Sequence, residues 1–145
     1  MKPDIQIATN SVEISRCYSV MRELRTAISA ENFITRVQEQ QNHGYVLAYL
    51  NDTIENTECV VAVAGFRISQ NLAWGKFLYV DDLVTSSAYR SKGYGSQLLA
   101  WLTDYAKNQQ CEQFHLDSGF QRVEAHRFYE REGLPKASYH FAKQV

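Results

Sequence analysis

The sequence predicts a single α/β domain, 1–145, built around one mixed β-sheet. Three observations carry this prediction. The length of 145 residues suits one domain. Strand-like runs in the first half alternate with turn-rich segments, as in an antiparallel meander. The second half follows the order strand, glycine turn, helix, strand, which is a βαβ unit with parallel strands.

The N-terminal region is predicted to contain one short strand and two helices. The strand covers residues 5–8. Apolar residues recur at spacings of three and four over 11–28, which predicts a helix with one buried face. A shorter helix is predicted over 31–41, with Phe33 and Val37 on its apolar side.

The first half of the sheet is predicted as three antiparallel strands over 45–50, 58–68 and 74–84. The turn-forming segments 51–53 and 69–71 separate them. Each strand should therefore pair with its neighbour along the chain.

The second half predicts a helix from about Gly95 to Gln109, a strand over 112–117 and a helix over 122–132. A final strand is predicted over 138–143. Because a strand–helix–strand connection is right-handed and joins parallel strands, the strands over 77–84 and 112–117 should run parallel.

The most informative motif is a glycine loop between a strand and a helix, Arg90-Ser91-Lys92-Gly93-Tyr94-Gly95-Ser96. Its two glycines permit a sharp turn and a close approach of ligand to backbone. The N–H groups that open a helix lack intrahelical partners, and the helix dipole favours an anion there. With two basic residues in the loop, the pattern predicts a diphosphate site.

Other phosphate-binding motifs fit less well. In a dinucleotide fingerprint the third glycine would fall at Leu98. A Walker motif is absent, because no Gly-Lys-Ser/Thr follows at the required spacing.

Composition excludes several classes of protein. With 15 basic and 16 acidic residues the net charge is −1, which argues against a nucleic-acid-binding face. No run of about 20 apolar residues predicts a membrane span, and the N-terminus lacks a signal-peptide core, so a cytoplasmic location is expected. Cys17, Cys59 and Cys111 are too widely spaced to indicate a disulfide framework or a metal site.

The order of elements, with VDDLVTSSAYRSKGYGSQLL and LDSGFQRVEAHRFYEREGL, resembles the GNAT superfamily of N-acetyltransferases over the whole chain. The resemblance implies that backbone groups of Lys92 to Ser96 hold the pyrophosphate of acetyl-CoA, with Arg90 opening this cofactor-binding motif. It places the pantetheine arm along Leu83, Val84 and Thr85. It makes Tyr129 the acid that protonates the departing thiolate. Where many members have Asn, this chain has Arg122, which could contact the cofactor.

Asp81 and Asp82 are the candidate carboxylates for proton removal. Adjacent residues of a regular strand face opposite sides, so without a bulge only one of them reaches the active-site face. Acids within an apolar run are costly unless partnered, and an amine or a relay water would be a suitable partner. Asp81 is slightly favoured as the base. A structural hydrogen bond is the competing interpretation for either residue.

The sequence thus predicts an acetyl-CoA-dependent N-acetyltransferase that acts on a primary amine without a metal. The alternative is a non-catalytic acyl-CoA-binding regulator or sensor. The acceptor is left open between a small-molecule amine and a peptide amine. The family's seventh strand is expected to be missing or merged into 139–145, so a homodimer that covers the shortened sheet edge is a further hypothesis.

Overall fold

A computed structural model describes residues 3–145. It divides into two compact units, Met1–His115 and Leu116–Val145. The five strands form one sheet in the order β1-β2-β3-β4-β5. Their bounds are Asp4–Ile7 for β1, Val46–Ile54 for β2, Thr57–Asn71 for β3, Gly75–Thr85 for β4 and Gln113–Leu116 for β5.

The strand directions confirm the predicted mixed sheet. The pairs β1–β2, β2–β3 and β3–β4 are antiparallel. The short strand β5 runs parallel to β4. The α/β fold class is therefore confirmed, with the glycine loop following the strand at which antiparallel pairing gives way to parallel pairing.

Five α-helices and one 3₁₀ turn complete the described part of the chain. The helices are α1 Ser11–Arg16, α2 Tyr18–Leu24, α3 Ala30–Gln41, α4 Tyr94–Asn108 and α5 Val123–Arg131, and the 3₁₀ turn is Ser87–Tyr89. Among residues 3–145, none of the helices has both the length and the apolar character that crossing a bilayer requires.

The single helix predicted over 11–28 is wrong, because the chain forms two short helices there. Cys17 ends α1 and precedes α2, and its amide bonds to the carbonyl of Ile14 at 3.0 Å in a tighter turn. After α2, Arg25 leaves the helical region at φ −108° and ψ 73°. The buried face still follows the predicted spacing, which is why periodicity alone did not reveal the break.

The turns predicted over 51–53 and 69–71 are also wrong, since both segments lie within strands. The β2–β3 turn falls instead at Glu55 and Asn56, which have φ of 50° and 64°. Asn51 is held in its strand by a 2.8 Å hydrogen bond from Arg16. Tertiary contacts of this kind override the turn tendency of single residues.

The final strand predicted over 138–143, or a seventh strand merged into 139–145, does not form. Residues 134–145 contain no helix or strand. Tyr139 and Phe141 are 79% and 92% exposed. Strand-like composition cannot hold a strand when no neighbouring strand supplies a hydrogen-bond ladder.

The first unit packs helices against both faces of its sheet. On one face, residues of α1, α2 and α3 join alternate residues of the strands in one cluster, which includes Ile14, Met21, Phe33, Val37, Leu47 and Val63. On the other face, Phe66 of β3 packs edge-on against Trp101 and Tyr105 of α4, with ring centroids 6.3 and 5.2 Å away. Because strand side chains alternate between faces, the apolar runs in β2 and β3 are buried on both sides.

Candidate active site

The glycine loop has the backbone geometry of an anion site. Ser91 and Gly93 both adopt the left-handed region, with φ of 65° and 80°. Gly93 is the N-cap of α4, no side chain caps the helix, and its first turn contains no acidic residue. The opening N–H groups of this helix are therefore available to a ligand, and the helix dipole adds a partial positive charge.

The space around the loop fits a phosphate group. A Cβ built at Gly93 meets no atom within 4 Å. Arg90, Ser91 and Lys92 are exposed. Open backbone donors flanked by two cations match the negative charge and the acceptor oxygens of a diphosphate, so the donor set of the loop fits that group.

Tyr94 anchors the loop to the sheet. Its ring is buried, and its Oη donates a hydrogen bond to Asp52 Oδ2 at 2.5 Å. The bond to Asp52 raises the pKa of Tyr94 to about 12. The same bond, with one from the Thr53 amide, lowers the pKa of Asp52. The side chain of Tyr94 therefore has a structural role, whereas the cofactor contact predicted from the sequence involves its backbone N–H.

Glu23 of α2 contacts the segment that enters the loop. Its Oε1 accepts a hydrogen bond from the Ser87 amide at 2.9 Å. The same oxygen lies 4.0 Å from Nη2 of Arg90. Because Arg90 is mostly exposed, this weak ion pair leaves its guanidinium free to turn toward an anion.

The two candidate carboxylates lie at a β-bulge. In the β3–β4 pairing Gly65 opposes Asp82 and Phe66 opposes Val80, so Asp81 is the extra residue. A bulge re-aims side chains, and here Asp81 and Asp82 both contact side chains on the α2 face of the sheet. In a regular strand only one of these two carboxylates could reach this face, but the bulge allows both to do so.

Asp82 is bound by two side chains. Its Oδ1 accepts a hydrogen bond from Nε of Arg25 at 2.7 Å, and its Oδ2 accepts one from Oη of Tyr45 at 2.7 Å. Nη2 of Arg25 also donates to the carbonyl oxygen of Asp81 at 2.7 Å. Burial and the Asp82 charge raise the pKa of Tyr45 well above its ordinary value, so the phenol stays a donor.

A glycine makes this arrangement possible. A Cβ at Gly65 would overlap the phenol ring of Tyr45, which crosses that position of β3 on its way to Asp82. The absence of a side chain at this strand position therefore serves a close packing contact.

Asp81 is bound by Arg67. Oδ2 of Asp81 accepts a hydrogen bond from Nε of Arg67 at 2.8 Å. The other nitrogens of Arg67 donate to Gln40 Oε1 at 2.6 Å and to the His43 carbonyl at 3.4 Å. Its guanidinium also lies 5.3 Å from the centroid of the Tyr45 ring. The side chain of Asp81 is 27% exposed, against 12% for Asp82.

The predicted cofactor strand continues directly from the bulge. Leu83, Val84 and Thr85 pair with Ala64, Val63 and Ala62 of β3. Val84 is buried in the helix-covered cluster, while Leu83 and Thr85 are partly exposed. The first unit thus brings together the bulge, this strand end and the glycine loop in one run of chain.

Tyr129 and Arg122 belong to the second unit. Tyr129 is buried, and its ring lies 5.4 Å from that of Phe128. Burial raises the pKa of Tyr129, and the charge of Arg122 partly opposes this. Arg122 is the N-cap of α5, with no side-chain capping bond.

Sequence reasoning did not assign a role to Tyr45, Asp52, Glu23 or Gly65. Only Gly65 gave a signal, because a glycine inside an apolar strand often marks close approach of another group. The others lie far along the chain from the residues that they contact, and no spacing rule connects them.

Comparisons with known proteins agree with this geometry. Residues 13–134 match the model of the acetyltransferase (GNAT) family. An uncharacterized N-acetyltransferase, YhdJ of Bacillus subtilis (strain 168), is 37% identical over 94% of this chain and 95% of its own. The aminoalkylphosphonate N-acetyltransferase of Salmonella typhimurium is 29% identical over 94% and 85%.

A solved structure shares the fold at much lower identity. The aminoglycoside N-acetyltransferase AAC(6')-Iy in complex with CoA aligns with a TM-score of 0.84 and 11% identity, over 99% of this chain and 95% of that one. The glycine loop, the bulged strand and the family match agree: the chain belongs to the GNAT superfamily of N-acetyltransferases.

Proposed function

We propose that the protein transfers an acetyl group from acetyl-CoA to a primary amine of a small molecule, by direct attack in a ternary complex. The observation that carries this proposal is the continuous segment from the Asp81 bulge to the uncapped N-terminus of α4. Its strand carries the two carboxylates, and the loop that follows the strand supplies the anion site.

The glycine loop would hold the diphosphate of the donor. Backbone amides of residues 92–96 donate to the phosphate oxygens, and Arg90 adds a charge-assisted contact. Leu83, Val84 and Thr85 would bind the pantetheine arm along the strand end. Arg122 is proposed as a further contact to the donor. When bound, acetyl-CoA supplies an acetyl group activated as a thioester.

Asp81, directly or through a water molecule, would accept the proton of the attacking amine. Its greater exposure and its place as the extra residue of the bulge favour it over Asp82. Asp82 would orient Arg25 and Tyr45 beside it. A positioned carboxylate of this kind contributes about 10²–10⁴-fold to rate.

A backbone N–H between Leu83 and Thr85 would stabilise the oxygen on which negative charge develops. Tyr129 would donate a proton to the leaving sulfur. Its phenol, whose pKa is raised by burial, carries its proton at neutral pH, as a proton donor must. No Cys lies in either family segment, so an acetyl-cysteine step is not part of the proposal.

The acceptor is proposed to be a small molecule rather than a peptide. The named substrate of the Salmonella relative is an aminoalkylphosphonate, and that of the structural relative is an aminoglycoside. Both are small amines. Acetylation of peptide amines but not of small amines would reverse this choice.

A homodimer and a cytoplasmic location remain part of the proposal. The exposed rings of Tyr139 and Phe141 are large apolar groups of the kind that a second copy of the chain would cover. Light scattering during gel filtration tests the dimer, and a monomeric mass at high concentration would contradict it. Cell fractionation tests the location.

Free-thiol release on mixing with acetyl-CoA and a panel of amines tests the proposed reaction. Gly93→Ala provides the matched probe, because a methyl group there enters the open space of the loop. Gly44→Ala is its control, since Gly44 also has a left-handed φ, of 93°, and no atom within 4 Å of its Cβ position.

In both variants the free energy of unfolding should fall by a similar amount, about 1 kcal/mol, because alanine is strained at a left-handed φ. Only Gly93→Ala should lose affinity for CoA, measured by calorimetry. Saturable CoA binding without thiol release from any amine would favour the acyl-CoA sensor instead. Equal CoA affinity in the two variants would remove the loop from the proposal.

A further inference from the structure

We infer that the preferred acceptor carries an anionic group close to its amine, and that Arg25 binds this group. The inference rests on the proposed transfer reaction and specifies its acceptor. It starts from the four charged side chains at the β4 bulge, Arg25, Arg67, Asp81 and Asp82, which we name the bulge cluster.

Arg25 uses only part of its hydrogen-bonding capacity within the cluster, and nearly half of its side chain is exposed. A guanidinium carries five N–H groups. The contacts of Arg25 within the cluster are one from Nε to Asp82 and one from Nη2 to the Asp81 carbonyl. Its side chain is 46% exposed. The remaining donors can therefore form the paired contacts that a carboxylate or phosphonate accepts.

Arg67 is not available in the same way. All three of its nitrogens donate to protein groups: Asp81, Gln40 and the His43 carbonyl. It also stacks on Tyr45. Its contacts hold Asp81 in place, so the cluster presents one arginine for binding and one for structure.

The arrangement of charges sets the chemistry of the ligand. Arg25 Nε lies 2.7 Å from Asp82 Oδ1, and Arg25 Nη2 lies 2.7 Å from the Asp81 carbonyl. An amine delivered to Asp81 and an anion held by Arg25 would thus be separated by only a few bonds. A dication such as a diamine would place its second positive charge against the guanidinium, which is unfavourable.

The short zwitterionic amine is therefore the acceptor class that matches both signs of charge. The anion can be a carboxylate or a phosphonate, since each can accept two parallel N–H bonds from a guanidinium on two of its oxygens. The charge pairing also explains why Arg25 stands beside carboxylates that were expected to meet an amine.

The test compares amines of matched length in the thiol-release assay. The probes are 3-aminopropanoate, 2-aminoethylphosphonate, n-propylamine and 1,3-diaminopropane. We expect kcat/KM for at least one anionic amine to exceed that for propylamine about tenfold or more, the effect of a charge-assisted hydrogen bond. Diaminopropane should be the poorest substrate.

Arg25→Gln and Arg25→Lys probe the site, and Arg22→Gln is the control, because Arg22 is an exposed arginine one turn earlier at the end of α2. Arg25→Gln should raise KM for the anionic amine about tenfold, while KM for propylamine stays within about twofold. Lysine should restore part of the preference through its charge. The control should behave like the wild type.

A purely structural Arg25 would give a different result, since its loss would reduce turnover of charged and neutral amines alike. That outcome, or wild-type turnover of propylamine equal to that of both anionic amines, would overturn the inference while leaving acetyl transfer intact. Thiol release from no amine, with CoA still bound, would instead overturn the proposed reaction and this inference with it.

Discussion

The phenol of Tyr94, the first residue of α4, donates a hydrogen bond to Asp52 in β2. This bond ties the start of the helix to a strand of the sheet, although the two residues are 42 positions apart. The bond therefore holds the start of α4, and with it the N–H groups of the loop, in a fixed position relative to β2. Asp52 is predicted to act on donor binding without touching the donor.

Tyr94→Phe should weaken donor binding, because the ring remains but its anchor to Asp52 is lost. We expect Kd for CoA to rise roughly three- to tenfold, with a smaller change in KM for the amine. Calorimetry measures the first and steady-state kinetics the second. Tyr89→Phe is the control for loss of a nearby phenol, and equal effects of both changes would contradict the prediction.

The Tyr94–Asp52 bond should also have a defined pH dependence. Folding lowers the pKa of Asp52 below its ordinary value of 3.8. The stabilisation is thus complete above that value and is lost as pH falls through the lower folded pKa. The Tm difference between wild type and Tyr94→Phe should be constant from about pH 5 to 8 and shrink below about pH 4. A difference that vanished at neutral pH would be inconsistent with this pair.

Tyr129→Phe should lower kcat about 10²-fold or more while leaving Kd for CoA nearly unchanged. The reason is that the change removes one proton and keeps the buried ring. Because burial raises the pKa of Tyr129, the wild type should show no loss of kcat from this group below about pH 10. Tyr139→Phe, at an exposed phenol of the same unit, is the control. Unchanged kcat would exclude Tyr129 from the reaction.

Gly65→Ala should destabilise the protein by about 1–3 kcal/mol, because the new methyl group overlaps the ring of Tyr45. Tyr45 must then move, and Asp82 loses its phenol donor. Combining Gly65→Ala with Tyr45→Ala should cost less than the sum of the two single changes, since the ring is gone. Denaturant unfolding gives the three values, and strict additivity would argue against this packing relationship.

The fold could be predicted because its signals are local. The strand-like runs in β2 to β4, the spacing in α3 and α4 and the glycine loop each occupy consecutive residues. At the turn wrongly predicted over 51–53, distant contacts decided the outcome. Asn51 and Asp52 look like a turn until their bonds to Arg16 and Tyr94 are known.

The candidate site was predictable only in part, for a related reason. The loop follows from glycine chemistry, and Asp81 and Asp82 stand out as acids in an apolar run. The bulge between them depends on the register with β3, which no single strand encodes. Their arginine partners come from the residue that follows α2 and from β3, so the pairing emerges only when these elements meet.

Glu23 and Arg25, on either side of Leu24, contact the two ends of the segment that runs from the bulge to the glycine loop. A shift of residues 23–25 would move the contact to Asp82 and the contact to Ser87 together. Changes inside α2 that meet neither ligand would thus disturb recognition of donor and acceptor together, and their effects would not be independent. We therefore expect the enzyme to tolerate few substitutions in α2, although the sequence of this helix shows no functional motif.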